Sequence, residues 1–234
     1  MSANNIIYLA VKAGFANRLR ALISGICLAE DRKTNLVVIW NNEASCGISS
    51  NIFEKDSFPH FVSFQNIPTS GFKYIEKLSD INATDTHFVS YAEFYRKDPI
   101  RWTAHLRNIK FKVKSPICNT IGVHIRRTDN TASIRSSPLD YFIEYMKKQK
   151  ENANFYLATD CEKTKAIVLD IFGANIITNN FCLYRDTEEG MINAIYDFIS
   201  LSQCKKIIGS TASSFSELAA RYGNIPLILN SHIS

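Results

Sequence analysis

The chain has 234 residues, 46% of them hydrophobic and 21% charged, a balance that supplies enough apolar side chains for a core in one large or two small domains. Its net charge of +5 suits an anionic ligand. It falls short of what a nucleic-acid partner requires, and no Lys/Arg block is interleaved with aromatics in the manner of a strand-binding groove.

In chain order, residues 6–11 read as a short buried strand that passes through Lys12-Ala13-Gly14 into a helix over 15–31. Phe15, Leu19, Leu22, Ile23 and Ile26 fall on one face of that helix. A second strand at 36–40 completes a strand–helix–strand unit. From 41 to 68 Gly, Ser, Asn and Pro mark loops, after which 87–91 reads as a strand and 99–108 as a helix. The basic, Pro-ended stretch 110–116 is placed as a domain boundary, giving domains 1–115 and 116–234. Beyond it strands at 120–125, 154–158, 175–178, 206–208 and 226–229 alternate with helices at 138–150, 162–172, 188–204 and 213–222. That rhythm predicts a largely parallel sheet covered on both faces, with ligands at the C-terminal ends of its strands.

The six cysteines form no C-x-x-C pair, and no His stands at zinc-ligand spacing from one, so buried reduced thiols and no metal are expected. No apolar run reaches the ~18 residues of a membrane helix. The first ten residues carry neither a basic leader nor a cleavage site. The expectation is a cytoplasmic protein with no transmembrane segment, at most peripheral at a membrane. His60, His87, His105 and His232 have no partners at suggestive spacing, and Trp40 and Trp102 look like packing residues.

Five constellations carry chemistry. In Gly122-Val123-His124-Ile125-Arg126-Arg127-Thr128-Asp129 an apolar strand opens into a polar loop. Alternation puts His124 and Arg126 on one face and Arg127 on the other. Two permanently charged donor forks at a strand end suit a diphosphate; structural ion pairs with Asp129 or another acid are the alternative. In Gly14-Phe15-Ala16-Asn17-Arg18 a helix start offers free N–H groups, and Asn17 and Arg18 are candidates to reach a ligand or to face the surface. G-x-G-x-x-G and a phosphate-loop Gly-Lys-Ser are both absent. Asp197, amid apolar residues, either accepts the N1–H and N2–H₂ of a guanine or faces solvent. Ser213 and Ser214 precede a helix as phosphate donors or caps, Ser214 standing in capping-box spacing with Glu217. Asp160 orients an arginine or ligand hydroxyl, or, slightly favoured, caps the helix starting at Glu162. No G-x-S-x-G elbow is present, which argues against a serine hydrolase.

Taken in order, these segments resemble the fucosyltransferases of the α-1,6 and nodulation-factor type, with a more distant likeness to protein O-fucosyltransferases. The resemblance rests on His124-Ile125-Arg126-Arg127-Thr128-Asp129, Ser136-Ser137-Pro138-Leu139-Asp140-Tyr141, Tyr156-Leu157-Ala158-Thr159-Asp160, Ala194-Ile195-Tyr196-Asp197-Phe198 and Thr211-Ala212-Ser213-Ser214. In the N-terminal half it is confined to Gly14-Phe15-Ala16-Asn17-Arg18-Leu19 and the strand ending at Trp40. It implies a two-lobed, GT-B-like fold of Rossmann-like parallel sheets with helices on both faces. The N-terminal domain would face the acceptor and the C-terminal domain would hold GDP-fucose, with no metal and no other cofactor. Arg126 would contact the β-phosphate, Asp197 would read guanine, Ser213 and Ser214 would hold the nucleotide, and Asn17 would lie near the donor. The α-1,6 enzymes carry a glutamate, the proposed base, shortly after the arginine run; residues 130–137 contain no carboxylate here. Asp129, Glu43 or solvent is left for that role. A transferase for another nucleotide sugar, and a catalytically silent nucleotide- or glycan-binding protein, are the competing expectations.

Overall fold

The computed structural model describes residues 6–115, 120–149, 151, 153–179 and 183–230. They fall into two units. One runs to Lys112 and includes Arg185–Met191; the other comprises Val113–Tyr184 and the chain from Ile192 onward.

The first unit is built on β1 (Ile7–Val11), α1 (Phe15–Arg32), β2 (Leu36–Ile39), β3 (Val62–Gln65), β4 (Lys73–Tyr74), β5 (His87–Ser90) and α2 (Pro99–Asn108). Its five strands are all parallel, in the order β3-β2-β1-β5-β4. Ile7-Tyr8-Leu9-Ala10-Val11 and Leu36-Val37-Val38-Ile39 are continuous apolar runs, as interior parallel strands must be when both faces are covered. The face of α1 holding Phe15, Leu19, Leu22, Ile23 and Ile26 is buried. Gly25 lets that helix lie close on the sheet, since a Cβ there would stand 2.5 Å from Leu9 Cδ2. Asp98 caps α2 by accepting from the backbone N–H groups of Ile100 and Arg101 at 2.9 and 3.0 Å. Trp102 is fully buried and donates to Ser24 Oγ across the α1–α2 contact at 3.3 Å.

The second unit contains β6 (Ile121–Ile125), α3 (Thr131–Ser136), α4 (Leu139–Gln149), β7 (Phe155–Thr159), α5 (Glu162–Phe172) and β8 (Ile176–Thr178). It continues with α6 (Glu188–Ser202), whose first turn belongs to the first unit, then β9 (Lys206–Ile208), α7 (Ser214–Gly223) and β10 (Leu227–Ile228). The parallel order is β10-β9-β6-β7-β8. Chain order therefore reverses between β6 and β9, the place where open α/β sheets leave a crevice at the strands' carboxyl ends. Val123, Ile125, Phe142, Met146, Phe155 and Leu157 form the core of this unit on the α4–α5 side of the sheet.

The two-lobed, Rossmann-like expectation holds, with strands beyond those expected. β3, a half-exposed edge strand, lies in the stretch that reads as loop, and β4, only two residues long, lies between 68 and 87, where no element is expected. The six-residue α3 also escaped; it is set by Asn130, whose side chain accepts from Ser133 N at 3.0 Å. Helix α6 stops at Ser202 rather than 204. Among the described residues no helix is long and apolar enough to cross a membrane. Cys27, Cys46, Cys161 and Cys204 are free thiols, and burial pushes Cys27 up to about 12. Cys118, Cys182, His232, Lys150, Pro116 and the first five residues lie outside the described residues.

Candidate functional site

The carboxyl ends of β6 and β9 are sewn together by short polar contacts. Ser210 Oγ accepts from Arg126 N at 3.0 Å and donates to the His124 carbonyl at 3.1 Å. Asn130 Nδ2 donates to the Ala212 carbonyl at 2.9 Å, and Thr211 N donates to Ser137 Oγ at 2.8 Å. Gly209 sits where α7 comes close to β9: a Cβ there would stand 2.7 Å from Ser216 Oγ and 2.8 Å from Leu227 Cδ1. Ala212 is left-handed at φ 57°, a conformation that costs a non-glycine residue ~1–2 kcal/mol and so marks a loop held by its neighbours.

Arg126 emerges from β6 half-buried, its guanidinium paired through Nη1 with Asp160 and through Nη2 with Asp129. The two acids differ. Asp160 is anchored at the end of β7: its Oδ1 accepts from Arg127 N at 2.7 Å and its Oδ2 from Thr128 Oγ1 at 2.6 Å. The Asp129 side chain is 56% exposed. Arg127 turns the other way, as alternation requires; it donates to the Ser137 carbonyl at 2.7 Å and lies over the Phe142 ring. Burial lowers its pKa, opposed by Asp160. Arg127 thus holds the α3–α4 connection, and Arg126 is the arginine left at the crevice. The favoured expectation that Asp160 caps α5 is wrong. Cys161 is the cap residue and makes no side-chain cap bond, while Asp160, one residue earlier, is committed to the arginine loop.

The N-terminus of α7 faces the same crevice without a cap. Ser213 stands at the cap position, yet its side chain makes no cap bond, and neither Ser213 nor Ser214 has a side-chain partner among the described residues. The expected capping box does not form, because Glu217 turns to Arg221 four residues on, at 2.6 Å. His124 is buried and stacks on Phe215, ring centroids 5.0 Å apart, with Nδ1 unpartnered. Burial pulls its pKa down to about 4, so the ring is neutral at physiological pH. Ser133 Oγ, Thr211 Oγ1 and Ser216 Oγ are likewise buried without partners.

Asp197, on α6, is 8% exposed, so the solvent-facing alternative is excluded. Its Oδ1 accepts from Tyr156 Oη at 2.7 Å and from Asn179 Nδ2, while Oδ2 has no partner among the described residues. Burial pushes its pKa up to about 7, partly offset by the Tyr156 bond and by Lys165. Asn179 and Lys165 escaped the sequence analysis, as did the pairing of Tyr156 with Asp197, since each residue looks ordinary in its own segment.

In the first unit, Ala13 is left-handed at φ 66° after β1, and its carbonyl accepts from Arg18 Nε at 2.8 Å. Arg18 is fully buried, its guanidinium also bonded to the Asn41 carbonyl and to Glu43 Oε2. Burial lowers its pKa, opposed by Cys46 and Glu43. Arg18 is a girder for its loop and presents no group to solvent. Asn17 is half-buried and accepts from Arg20. Glu43 is held on both oxygens, by Lys12 and by Arg18. His105, which seemed partnerless, pairs with Glu30 at 2.9 Å. Among the described residues no three His, Cys, Asp or Glu side chains gather as a metal site.

Fold and residues together define a class: a GT-B-like α/β chain whose second Rossmann-like unit carries an arginine–carboxylate pair and a row of free hydroxyls at its strand switch. Solved structures share this fold. NodZ α-1,6-fucosyltransferase soaked with GDP-fucose matches with a TM-score of 0.63 at 16% identity, over 92% of this chain and 92% of that one. Fucosyltransferase NodZ from Bradyrhizobium matches at 0.61 and 18% identity, over 91% and 92%. POFUT1 in complex with GDP-fucose matches at 0.59 and 8% identity, over 99% of each. At such identities the likeness is one of fold. No family model and no curated protein matches the sequence.

Proposed function

We propose that this chain is a metal-independent glycosyltransferase that moves fucose from GDP-fucose to a glycan or glycoconjugate acceptor. The observation that carries the proposal is Arg126, held by the anchored Asp160 at the β6–β9 switch, opposite the uncapped α7 N-terminus. The fold shared with structures holding GDP-fucose supports the same donor.

In this mechanism the diphosphate replaces the exposed Asp129 as partner of Arg126, while Asp160 keeps the guanidinium aimed. Ser213, Ser214 and the free N–H groups of α7 take further phosphate oxygens. The neutral His124 forms the floor. Asp197 Oδ2, with its partly engaged Oδ1, receives the guanine edge. The acceptor hydroxyl oxygen bonds to the fucose anomeric carbon as the bond to the β-phosphate oxygen breaks and its electron pair stays with GDP. The hydroxyl proton passes to Asp129, directly or through water. Negative charge grows on the leaving diphosphate, where a preorganised guanidinium contributes most.

A thermal-shift panel with GDP, UDP, CDP and their sugars, with and without EDTA, tests the donor. Selective stabilisation by GDP and GDP-fucose that survives EDTA is the expected result. Selectivity for another base would retain a transferase and remove fucose. The second reading, a nucleotide binder without transfer, is favoured by one observation: Asp129 and Glu43, the available bases, are both ion-paired. GDP binding with no turnover of GDP-fucose against any acceptor would establish it.

A further inference from the structure

Lys165 is a buried cation that the mechanism leaves unused. It lies on α5, three residues after the start at Glu162, and is 6% exposed. Its Nζ donates to the Asn179 carbonyl, just beyond the carboxyl end of β8, where Thr178 Oγ1 donates as well at 3.3 Å. Asn179 in turn directs its side-chain amide to Asp197 Oδ1, which also accepts from Tyr156 Oη at 2.7 Å. Lysine, asparagine, tyrosine and aspartate thus form one buried cluster, drawn from α5, the end of β8, β7 and α6.

A lysine at this depth needs a reason. One with only a packing role extends its ammonium into solvent, and a buried charge is costly unless its protons find acceptors. An ammonium has three N–H donors. Among the described residues the Asn179 carbonyl is the hydrogen-bond acceptor it meets, and it forms no ion pair. Asp197 stands close enough to feel the charge: burial raises the Asp197 pKa, and Lys165, after the Tyr156 bond, works against that rise. The cluster therefore holds spare donors at Lys165 and a spare acceptor at Asp197 Oδ2.

That combination fits one base edge. Guanine presents O6, which accepts, beside N1–H and the N2 amino group, which donate. An ionised carboxylate only accepts, so Asp197 serves N1 and N2 and leaves O6 without a donor. The Tyr156 hydroxyl and the Asn179 amide are turned to Asp197 Oδ1, which leaves Lys165 as the donor in the cluster with N–H groups to give. Adenine carries an amino group where guanine has O6, and would meet the ammonium donor to donor.

We propose that Lys165 is a specificity-determining residue of the donor site, donating through Nζ to guanine O6 while Asp197 takes the N1 and N2 protons; the proposal rests on the reading of this chain as a GDP-fucose transferase. Calorimetry on the full chain and on Lys165→Met, which keeps the length of the side chain and removes its charge, tests it with three ligands. GDP is compared with IDP, which lacks the N2 amino group, and with 6-thio-GDP, whose sulfur is a poor acceptor in place of O6. The native chain should bind 6-thio-GDP about tenfold more weakly than GDP. In Lys165→Met that difference should vanish, while the preference for GDP over IDP, set by Asp197, should persist. Equal binding of GDP and 6-thio-GDP by the native chain overturns the proposal without recourse to any variant. So does a variant that loses GDP, IDP and 6-thio-GDP by one common factor, since Lys165 would then only brace Asn179. A native chain that ignores all three nucleotides sinks the transferase reading itself.

Discussion

Asp160, at the end of β7, holds Arg126, at the end of β6, by an ion pair to Nη1, while its other oxygen accepts the Arg127 backbone N–H at 2.7 Å. One carboxylate thereby fixes both the side chain of the first arginine and the backbone of the second. Aiming and charge are therefore separable. Arg126→Ala should lower kcat about 10²–10³-fold, the cost of removing a transition-state donor, with little change in Tm. Arg126→Lys should recover little, because an ammonium lacks the planar fork. Asp160→Asn should also reduce kcat more than tenfold, through loss of aim. Steady-state kinetics and melting curves on the three variants check this; activity comparable to the native chain in a folded Arg126→Ala variant removes the donor assignment.

In the proposed mechanism the diphosphate takes the place at Arg126 that Asp129 occupies. Asp129→Asn removes the competing charge, so GDP should bind several-fold more tightly, while transfer should fall if Asp129 receives the acceptor proton. Calorimetry with GDP beside turnover of GDP-fucose separates the two effects. Weaker GDP binding in the variant would contradict the competition.

Asp197 gives a pH dependence with a definite sign. Its folded pKa, raised by burial to about 7, lies above the ~4 of an unfolded carboxylate, so the folded state holds the proton more tightly. The stability this proton contributes is full below ~pH 4 and declines as pH rises, and it is gone above about 7. Under the proposed mechanism guanine recognition needs the ionised acceptor and runs the opposite way, so GDP affinity should rise between pH 6 and 8, by up to about tenfold per unit below the pKa. Asp197→Asn should flatten both profiles and abolish the preference for GDP over UDP. A GDP affinity independent of pH across that interval would remove Asp197 from the base site.

Gly209 tests how closely α7 must approach β9. Gly209→Ala places a methyl 2.7 Å from Ser216 Oγ and should cost ~1–3 kcal/mol, read as a lowered urea midpoint. Because the clash pushes back the helix carrying Ser213 and Ser214, GDP binding should weaken too. Unchanged stability and affinity would show that the loop yields freely.

Parts of this were legible in the residues. The apolar runs at β1, β2, β6 and β7 could only be interior parallel strands, and the Arg126-Arg127 pair was visible because two fixed charges at a strand end demand partners. Asp160 was visible as a candidate with its role misjudged. A carboxylate before a helix looks like a cap until the neighbouring strand supplies a stronger partner. Arg18 failed in the same way, its buried acceptors at Asn41 and Glu43 lying beyond the reach of local pattern. The burial of Lys165 was not legible at all, since a lysine among the charged residues that open α5 reads as solvent-facing.

Sequence alone determined the two strand–helix alternations, the mild positive charge and the motif order, because periodicity and composition are properties of neighbouring residues along the chain. Only the tertiary structure decided which acid serves which arginine, that Asp197 is buried beside Tyr156 and Asn179, and that Lys165 is buried against the same Asn179. Those outcomes depend on strand order and register, which bring together side chains from segments far apart in the chain, and on burial, which turns an ordinary carboxylate or amide into one whose missing partner has an energetic cost.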